Sequence, residues 1–358
     1  MKIVTITGIR PDFIRMSRVF EKLDASFDHI MIHTGQHYDD ELSKIFFQEL
    51  KIRKPDFVLD TGRKSNNHYE QQSYLSKEVI LLLKRKEINP RMILFLGDSS
   101  TVMVSAVLFK EGYTIGHIEG GMRSYDRRMP EEVNRVICDY VSSCVFVYTP
   151  LYKERLLKEN KRSGDIFIVG NTIVEVVKEH MPKGKRSRDY IVADIHRNEN
   201  LKDPRQYNHI LEYLNHTGKA LGLPVRLVRF RRAVRLIERY GLLKKKPFVE
   251  LVGPYGFLQY LNEQYNAYGV ISDSGTSQEE CPLLGVPVAV PRNFTERPES
   301  LQFGNSILVG EDKPIKQMVE KTVRFFRSYS VSKEKIRWLG DGNTSKRIIQ
   351  ILKRRLDI

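Results

Sequence analysis

The feature that most limits how this chain can fold is a repeated beat: a short apolar run ending in glycine or a small polar residue, then a stretch with apolar residues at helical spacing. "MKIVTITG" leads into "RPDFIRMSRVFEKL", "HIMIHTG" into "DELSKIFFQEL", and "RMILFLGDSS" into "TVMVSAVLFKEG". "YTIGHIEGG" leads, after a loop, into "PEEVNRVICDYVSS", and "CVFVYT" into "PLYKERLLKE". Strands alternating with helices predict an α/β fold with a doubly wound parallel sheet, its ligand groups at the C-terminal ends of the strands. The beat breaks at the basic stretch "MPKGKRSRD", a candidate linker, and resumes in "YIVADIHRNEN", "PVRLVRF", "FVELVG" and "YGVISDSG". The expected organisation is two Rossmann-like domains with a cleft between them, residues 1–180 and 188–335. The helical segment 340–358, "SKRIIQILKRRLDI" at its core, is expected to pack back on the first.

A length of 358 residues agrees, being too great for one ordinary core and suited to two domains of about 100–200 residues. The chain is 41% hydrophobic and 29% charged, a globular profile. No run approaches the ~18 apolar residues of a membrane span. "MKIVTITGIRP" is too soon broken for a signal peptide, so a cytoplasmic location is expected. Cys138, Cys144 and Cys281 are an odd set without CxxC spacing, which argues against a disulfide framework or a zinc site. A net charge of +15 favours an anionic partner. The run from Arg226 to Lys246 holds nine Lys/Arg against one Glu. Its interleaved apolar residues read as a strand and an amphipathic helix with a solvated basic face rather than as a nucleic-acid surface.

Several strand ends carry candidate chemistry. In "GIRPDFIR", Arg10 follows the first strand at a helix start, where N–H groups and a guanidinium both favour phosphate; a plain surface arginine fits as well. Asp98 in "FLGDSS" suits either a helix cap or a reacting carboxylate. Glu119 in "HIEGG" sits at the corresponding place on the next strand, where the following glycines make capping a poorer account. "MPEEVNR" opens a helix with Pro130 in its first turn, and Glu131 and Glu132 suit that terminus electrostatically. Asp98, Glu119 and Glu131 could flank a carbon from which a proton is removed, leaving Glu132 and neighbouring arginines as scaffold. In the second half, His196 and Arg197 of "DIHRNEN" stand at a strand end. "ISDSGTSQEE" offers Ser274, Gly275 and Thr276 as a cradle for a diphosphate, with Glu280 a turn later for ribose hydroxyls.

The order of "GIRPDFIRMS", "HTGQHYDDEL", "GHIEGGMRS", "MPEEVNR", "VGNTIVE", "HRNEN", "DSGTSQEE", "GVPVAV" and "TERPE" resembles the non-hydrolysing UDP-N-acetylglucosamine 2-epimerase family across nearly the whole chain. The resemblance implies a glycosyltransferase-B type fold with UDP held mainly by the second domain. It implies inversion at C2 of a UDP-linked 2-acetamido sugar through a bound glycal, with no NAD, no metal and no other cofactor. Asp98, Glu119 and Glu131 then look like the catalytic carboxylates, with His196 beside them in the chemistry. Arg10 and His196 look like diphosphate ligands, Ser274, Gly275 and Thr276 like its cradle, and Glu280 like the ribose ligand. A UDP-sugar substrate and a homodimer are implied, with no nucleic acid and no membrane.

This chain also departs from the family pattern. Arg15 stands where a lysine is usual, "IEGG" replaces "VEAG", "DSGTSQEE" replaces "DSGGIQEE", and Arg229 stands where many members have histidine. "TGQHYDDEL" differs from the pattern of members with a second, allosteric UDP-sugar site. Substrate signals point both to a UDP-2-acetamido-2,6-dideoxy-L-hexose and to UDP-GlcNAc, with a UDP-diacetamido uronate as alternative. A hydrolysing epimerase, a glycosyltransferase of the same fold and a nucleic-acid-binding protein are the rival classes.

Overall fold

A computed structural model describes residues 1–35, 47–62, 64–65, 67–126 and 128–357. The expected helix at "DELSKIFFQEL" lies largely outside the described residues, as does most of "HTGQHYDDEL". The chain divides into two compact units, Met1–Val176 with Leu339–Ile358, and Val177–Trp338.

The first unit is built on strands β1 (Lys2–Thr7), β2 (Asp28–His33), β3 (Phe57–Val58), β4 (Met92–Leu96), β5 (Ile115–Gly120), β6 (Cys144–Val147) and β7 (Ile166–Ile168). They pair in the order β3-β2-β1-β4-β5-β6-β7, every described pair parallel. Val4, Ile6, Ile93, Phe95 and Ile115 join a core with Leu75, Val79 and Leu83 of helix His68–Arg85 and Val104 and Leu108 of helix Val104–Lys110. Helices cover the sheet, which is why its strands read as continuous apolar runs rather than alternating ones. Helix Thr344–Arg355 completes this unit against helix Arg10–Ser26; the Thr344 hydroxyl donates to the Asn171 carbonyl and the Ser345 N–H to Glu175.

The second unit holds β8 (Ile191–Asp194), β9 (Val225–Val228), β10 (Val249–Val252), β11 (Gly269–Ser272), β12 (Val288–Val290) and β13 (Ser306–Leu308), in the parallel order β10-β9-β8-β11-β12-β13. Helix Pro204–Leu221, with an Asp203 N-cap and a left-handed Gly222 at its end, buries Tyr207, Ile210, Leu211 and Leu214 against this sheet. Strand order reverses between β1 and β4 in one unit and between β8 and β11 in the other. Such switch points open crevices beyond the carboxyl ends of the strands, where ligands bind.

Among the described residues no helix is long and apolar enough to cross a membrane. The basic run is partly scaffold. Arg226 pairs with Glu250 and Glu263 over the Tyr190 ring, and the buried Lys246 ammonium donates to Asn208 and the Leu242 carbonyl beside Glu212. Arg231, Arg232, Arg235 and Arg239 face outward on helix Arg231–Tyr240.

Candidate functional site

At the first switch point, β1 runs into helix Arg10–Ser26 through Gly8 and Ile9. Pro11 lies in the first helical turn, and Asp12 accepts hydrogen bonds from the N–H groups of Gly8 (2.7 Å) and Ile9 (3.1 Å). Burial pushes the Asp12 carboxyl up to about 7, against those two donors, with Asp98 adding to the rise. Arg10 is half-buried at the start of this helix.

Asp98 lies two residues beyond β4, and Glu119 is the next-to-last residue of the neighbouring β5. The cap position of the following turn is Ser99, and the Asp98 carboxylate meets the buried guanidinium of Arg135. The Asn134 amide donates to the Asp98 carbonyl at 2.8 Å. Glu119 is buried, forms an ion pair with the buried Arg15, and accepts a hydrogen bond of 3.0 Å from Tyr148, whose hydroxyl in turn contacts Thr172 at 2.8 Å. Its φ of 74° is left-handed, and pairing between β5 and β6 slips between Ile118 and Gly120. A non-glycine residue held there is strained, and such strain is retained where the surroundings fix it for a purpose.

Glu131 lies half-buried in the first turn of helix Pro130–Val141, with Pro130 as its first residue. Glu132 has a different task. Its carboxylate accepts from Ser124 N–H (2.9 Å), the Ser124 hydroxyl and Tyr125 N–H (3.0 Å), and pairs with Arg135, closing the loop between β5 and this helix. Arg128 is held by Asp126 on the exposed side of that loop, and Arg127 lies outside the described residues.

At the second switch point the acid groups turn inward. Asp273, fully buried after β11, accepts from the backbone N–H groups of His196 (3.0 Å) and Arg197 (3.0 Å) and from the Asn200 amide (2.9 Å). Asp194 accepts from Tyr260 (2.9 Å) and contacts His196 Nδ1 (2.7 Å). Burial opposes charge on the His196 ring, but Asp194 and Asp273 outweigh it and raise its pKa. Asp194, His196 and Asp273 have the composition of a metal-ligand set. Each carboxylate oxygen there accepts a hydrogen bond, and the two acids hold the ring and the backbone N–H of His196 in place. Phe230 packs 4.8 Å from the ring.

Ser274, Gly275 and Thr276 turn from β11 into helix Ser277–Leu284, with Ser274 and Thr276 hydroxyls 2.7 Å apart. A Cβ at Gly275 would stand 2.3 Å from the Arg297 guanidinium, so a larger residue would push that side chain from its place over the turn. Arg297 pairs with buried Glu279 at 3.1 Å, whereas Glu280, also buried, lies 3.3 Å from the Gln264 amide. Arg135, Tyr148, Asp194, Asp273 and Arg297 complete the two sites without announcing themselves as site residues in the sequence. Only the Asp residues, each just at or beyond a strand end, carry a readable signal.

Two parallel α/β units, one with paired carboxylates at its switch point and the other with a donor-rich turn, define an α/β protein of the glycosyltransferase-B type. The family model for UDP-N-acetylglucosamine 2-epimerase matches residues 21–353, and the chain belongs to that family. Its enzyme class is isomerase. The UDP-N-acetylglucosamine 2-epimerase of Methanococcus maripaludis is 35% identical over 370 aligned positions, covering 98% of each chain. The UDP-2,3-diacetamido-2,3-dideoxy-D-glucuronate 2-epimerase of Pseudomonas aeruginosa is 32% identical, covering 98% of this chain and 99% of its own. The crystal structure of the Methanocaldococcus jannaschii UDP-GlcNAc 2-epimerase with UDP-GlcNAc and UDP superposes with a TM-score of 0.90 at 31% identity, covering 99% of this chain and all of that one.

Proposed function

We propose that this protein inverts C2 of a UDP-linked 2-acetamido sugar without hydrolysing it, with UDP-GlcNAc the first substrate to test. The observation that carries this reading is the placing of Asp98 and Glu119 at the ends of adjacent strands, each set against its own buried arginine. C2 of such a sugar is not next to a carbonyl, so its proton is weakly acidic. Removing it becomes feasible when the C1–O bond to UDP breaks as the C2–H bond does, the electron pair forming the C1–C2 double bond of a glycal and the diphosphate leaving with the other pair. A proton delivered to the opposite face of C2 and re-addition of UDP at C1 complete the inversion.

Asp98, Glu119 and Glu131 are the groups assigned to the protons. Arg10 and His196 are assigned to the diphosphate, whose charge grows on departure, with Ser274, Gly275 and Thr276 as its cradle and Glu280 as the ribose ligand. On this assignment the proton-handling carboxylates belong to the first unit, and all the UDP ligands but Arg10 to the second. Asp194 and Asp273 raise the pKa of His196 and so favour its charged form, which suits a group facing a leaving diphosphate. The diacetamido uronate is the alternative substrate favoured by the Pseudomonas relative, and the 6-deoxy-L-hexose the one favoured by the sequence pattern. A cytoplasmic location fits an enzyme of nucleotide sugars. A homodimer fits Val133, Val136 and Tyr140, exposed at helical spacing on helix Pro130–Val141 beside the exposed Phe109 of the neighbouring helix.

Proton NMR with UDP-GlcNAc, a UDP-2-acetamido-2,6-dideoxy-L-hexose and a UDP-diacetamido uronate in deuterated water tests the reading. Deuterium at C2 together with a new epimer identifies reaction and substrate at once. UDP binding with no C2 exchange on any of the three would instead favour a transferase.

A further inference from the structure

Between the Asp98 turn and the Glu119 turn, and behind both, lies a buried ionic network to which no role has yet been given. His117, fully buried in β5, places Nε2 2.7 Å from the Gly97 carbonyl and Nδ1 2.7 Å from an Asp139 oxygen. Both partners can only accept, so both ring nitrogens donate and the ring is an imidazolium. The other oxygen of Asp139 accepts from Gly121 N–H (3.0 Å) and from Arg123 (2.8 Å), whose remaining nitrogens grip Glu159 at 3.0 and 2.6 Å. Burial works against the charged ring, but the neighbouring Cys138 sulfur and Asp139 outweigh it, consistent with the donor count.

The connections are what give this cluster meaning. Gly97 precedes Asp98, and Gly121 follows Glu119 by two residues, so one imidazolium-carboxylate pair fastens both turns at once. Gly120 leaves no slack either: a Cβ there would stand 2.5 Å from the Asp139 oxygen and 2.2 Å from Val145. This gives a reason for "IEGG" in this chain, since a methyl group at that position would press directly on the clamp. The left-handed Glu119 backbone needs outside support to persist, and Asp139 supplies it one peptide away.

We infer that His117 and Asp139 are positioning residues for the C2 chemistry, a clamp that sets the separation of the Asp98 and Glu119 carboxylates without touching substrate. The inference rests on the proposed function of those carboxylates. A displacement of about 1 Å in such a site lowers turnover on the order of a hundredfold, and the UDP turn in the other unit is untouched by it.

The test compares the parent with His117→Ala, Asp139→Ala, His117→Gln and Asp139→Asn. The readouts are kcat and KM for C2 exchange, UDP affinity by calorimetry, and melting temperature. Asparagine can retain every hydrogen bond of Asp139, with the ring neutral, its Nδ1 accepting and its Nε2 still donating to Gly97. Expected are a kcat loss of about a hundredfold in the alanine variants, with UDP affinity unchanged, and a smaller loss in His117→Gln. Asp139→Asn is expected to stay within about fivefold of the parent. Folded alanine variants with parental kcat would overturn the clamp, and so would Asp139→Asn falling as far as Asp139→Ala. Should the alanine variants not fold, parental kcat in His117→Gln overturns it equally. A parent that exchanges no C2 proton on any UDP-sugar defeats the proposed function itself, which keeps the two failures apart.

Discussion

The two switch points use the same residue types in opposite ways. In the first unit Asp98 and Glu119 are held by side-chain cations, Arg135 and Arg15, which leave the carboxylates as the chemical groups of the turn. In the second unit Asp273 is spent on backbone N–H groups and disappears beneath them, leaving His196 and the Ser274–Thr276 turn as the face. One topology therefore yields a strand end that presents acids and another that presents an imidazole and hydroxyls. For Asp98, Glu119 and Asp273 the difference lies in the partner, an arginine side chain for the first two and chiefly backbone N–H groups for the third.

The sharpest break in this contrast comes from Glu119→Gln. It should lower C2 exchange by about 10²–10⁴-fold, read by NMR in deuterated water, while leaving UDP affinity unaltered. Equal damage to both would mean that the acid end is not confined to proton chemistry. Asp273→Ala should do the reverse, weakening UDP binding about 10–100-fold in a titration and lowering the melting temperature. It leaves the N–H groups of His196 and Arg197 and the Asn200 amide without their acceptor, at about 1–3 kcal/mol for a buried group.

His196 supplies a gentler test through pH. Its pKa is raised above the ordinary 6.5 because Asp194 and Asp273 outweigh burial and Arg197. The charged ring's contribution to UDP binding and to stability is therefore complete below about 6.5 and is lost as pH rises through the raised value. UDP affinity should fall about tenfold or less across that window, and His196→Asn should flatten the curve. The smallest effect is expected at Tyr140→Asp, on the outward face of helix Pro130–Val141. It should shift sedimentation toward monomer and change kcat only a few-fold, since Glu131 sits at the other end of that helix. A dimer unaffected by this change would remove the exposed apolar stripe from consideration.

How much of this was legible depends on the range of each interaction. Strand ends announce themselves because an apolar run closes on Gly97-Asp98, Glu119-Gly120 or Asp273-Ser274, and a doubly wound fold binds its ligands beyond such ends. β3 spans two residues and β7 three, too short to form a recognisable run, so the strand beat misses them. Helix Pro204–Leu221 did carry readable punctuation, an Asp-Pro start and a Gly222 stop. The partners of the site residues were hidden for another reason. Arg135 reaches Asp98 across 37 positions and Tyr148 reaches Glu119 across 29, and no local pattern encodes a pairing made by sheet order. Asp139 likewise looks like an ordinary helical carboxylate until β5 brings His117 against it.

The first unit is assembled from both ends of the chain, with helix Thr344–Arg355 seated on helix Arg10–Ser26. During synthesis at roughly 5–20 residues per second, the strands bearing Asp98 and Glu119 must wait on the order of ten to thirty seconds while Val177–Trp338 is made. Throughout that interval the surface of Arg10–Ser26 that will receive the last helix stays bare. Premature release of the chain would therefore leave Val177–Trp338 whole and the unit bearing Asp98 and Glu119 unfinished, although the latter is made almost entirely first.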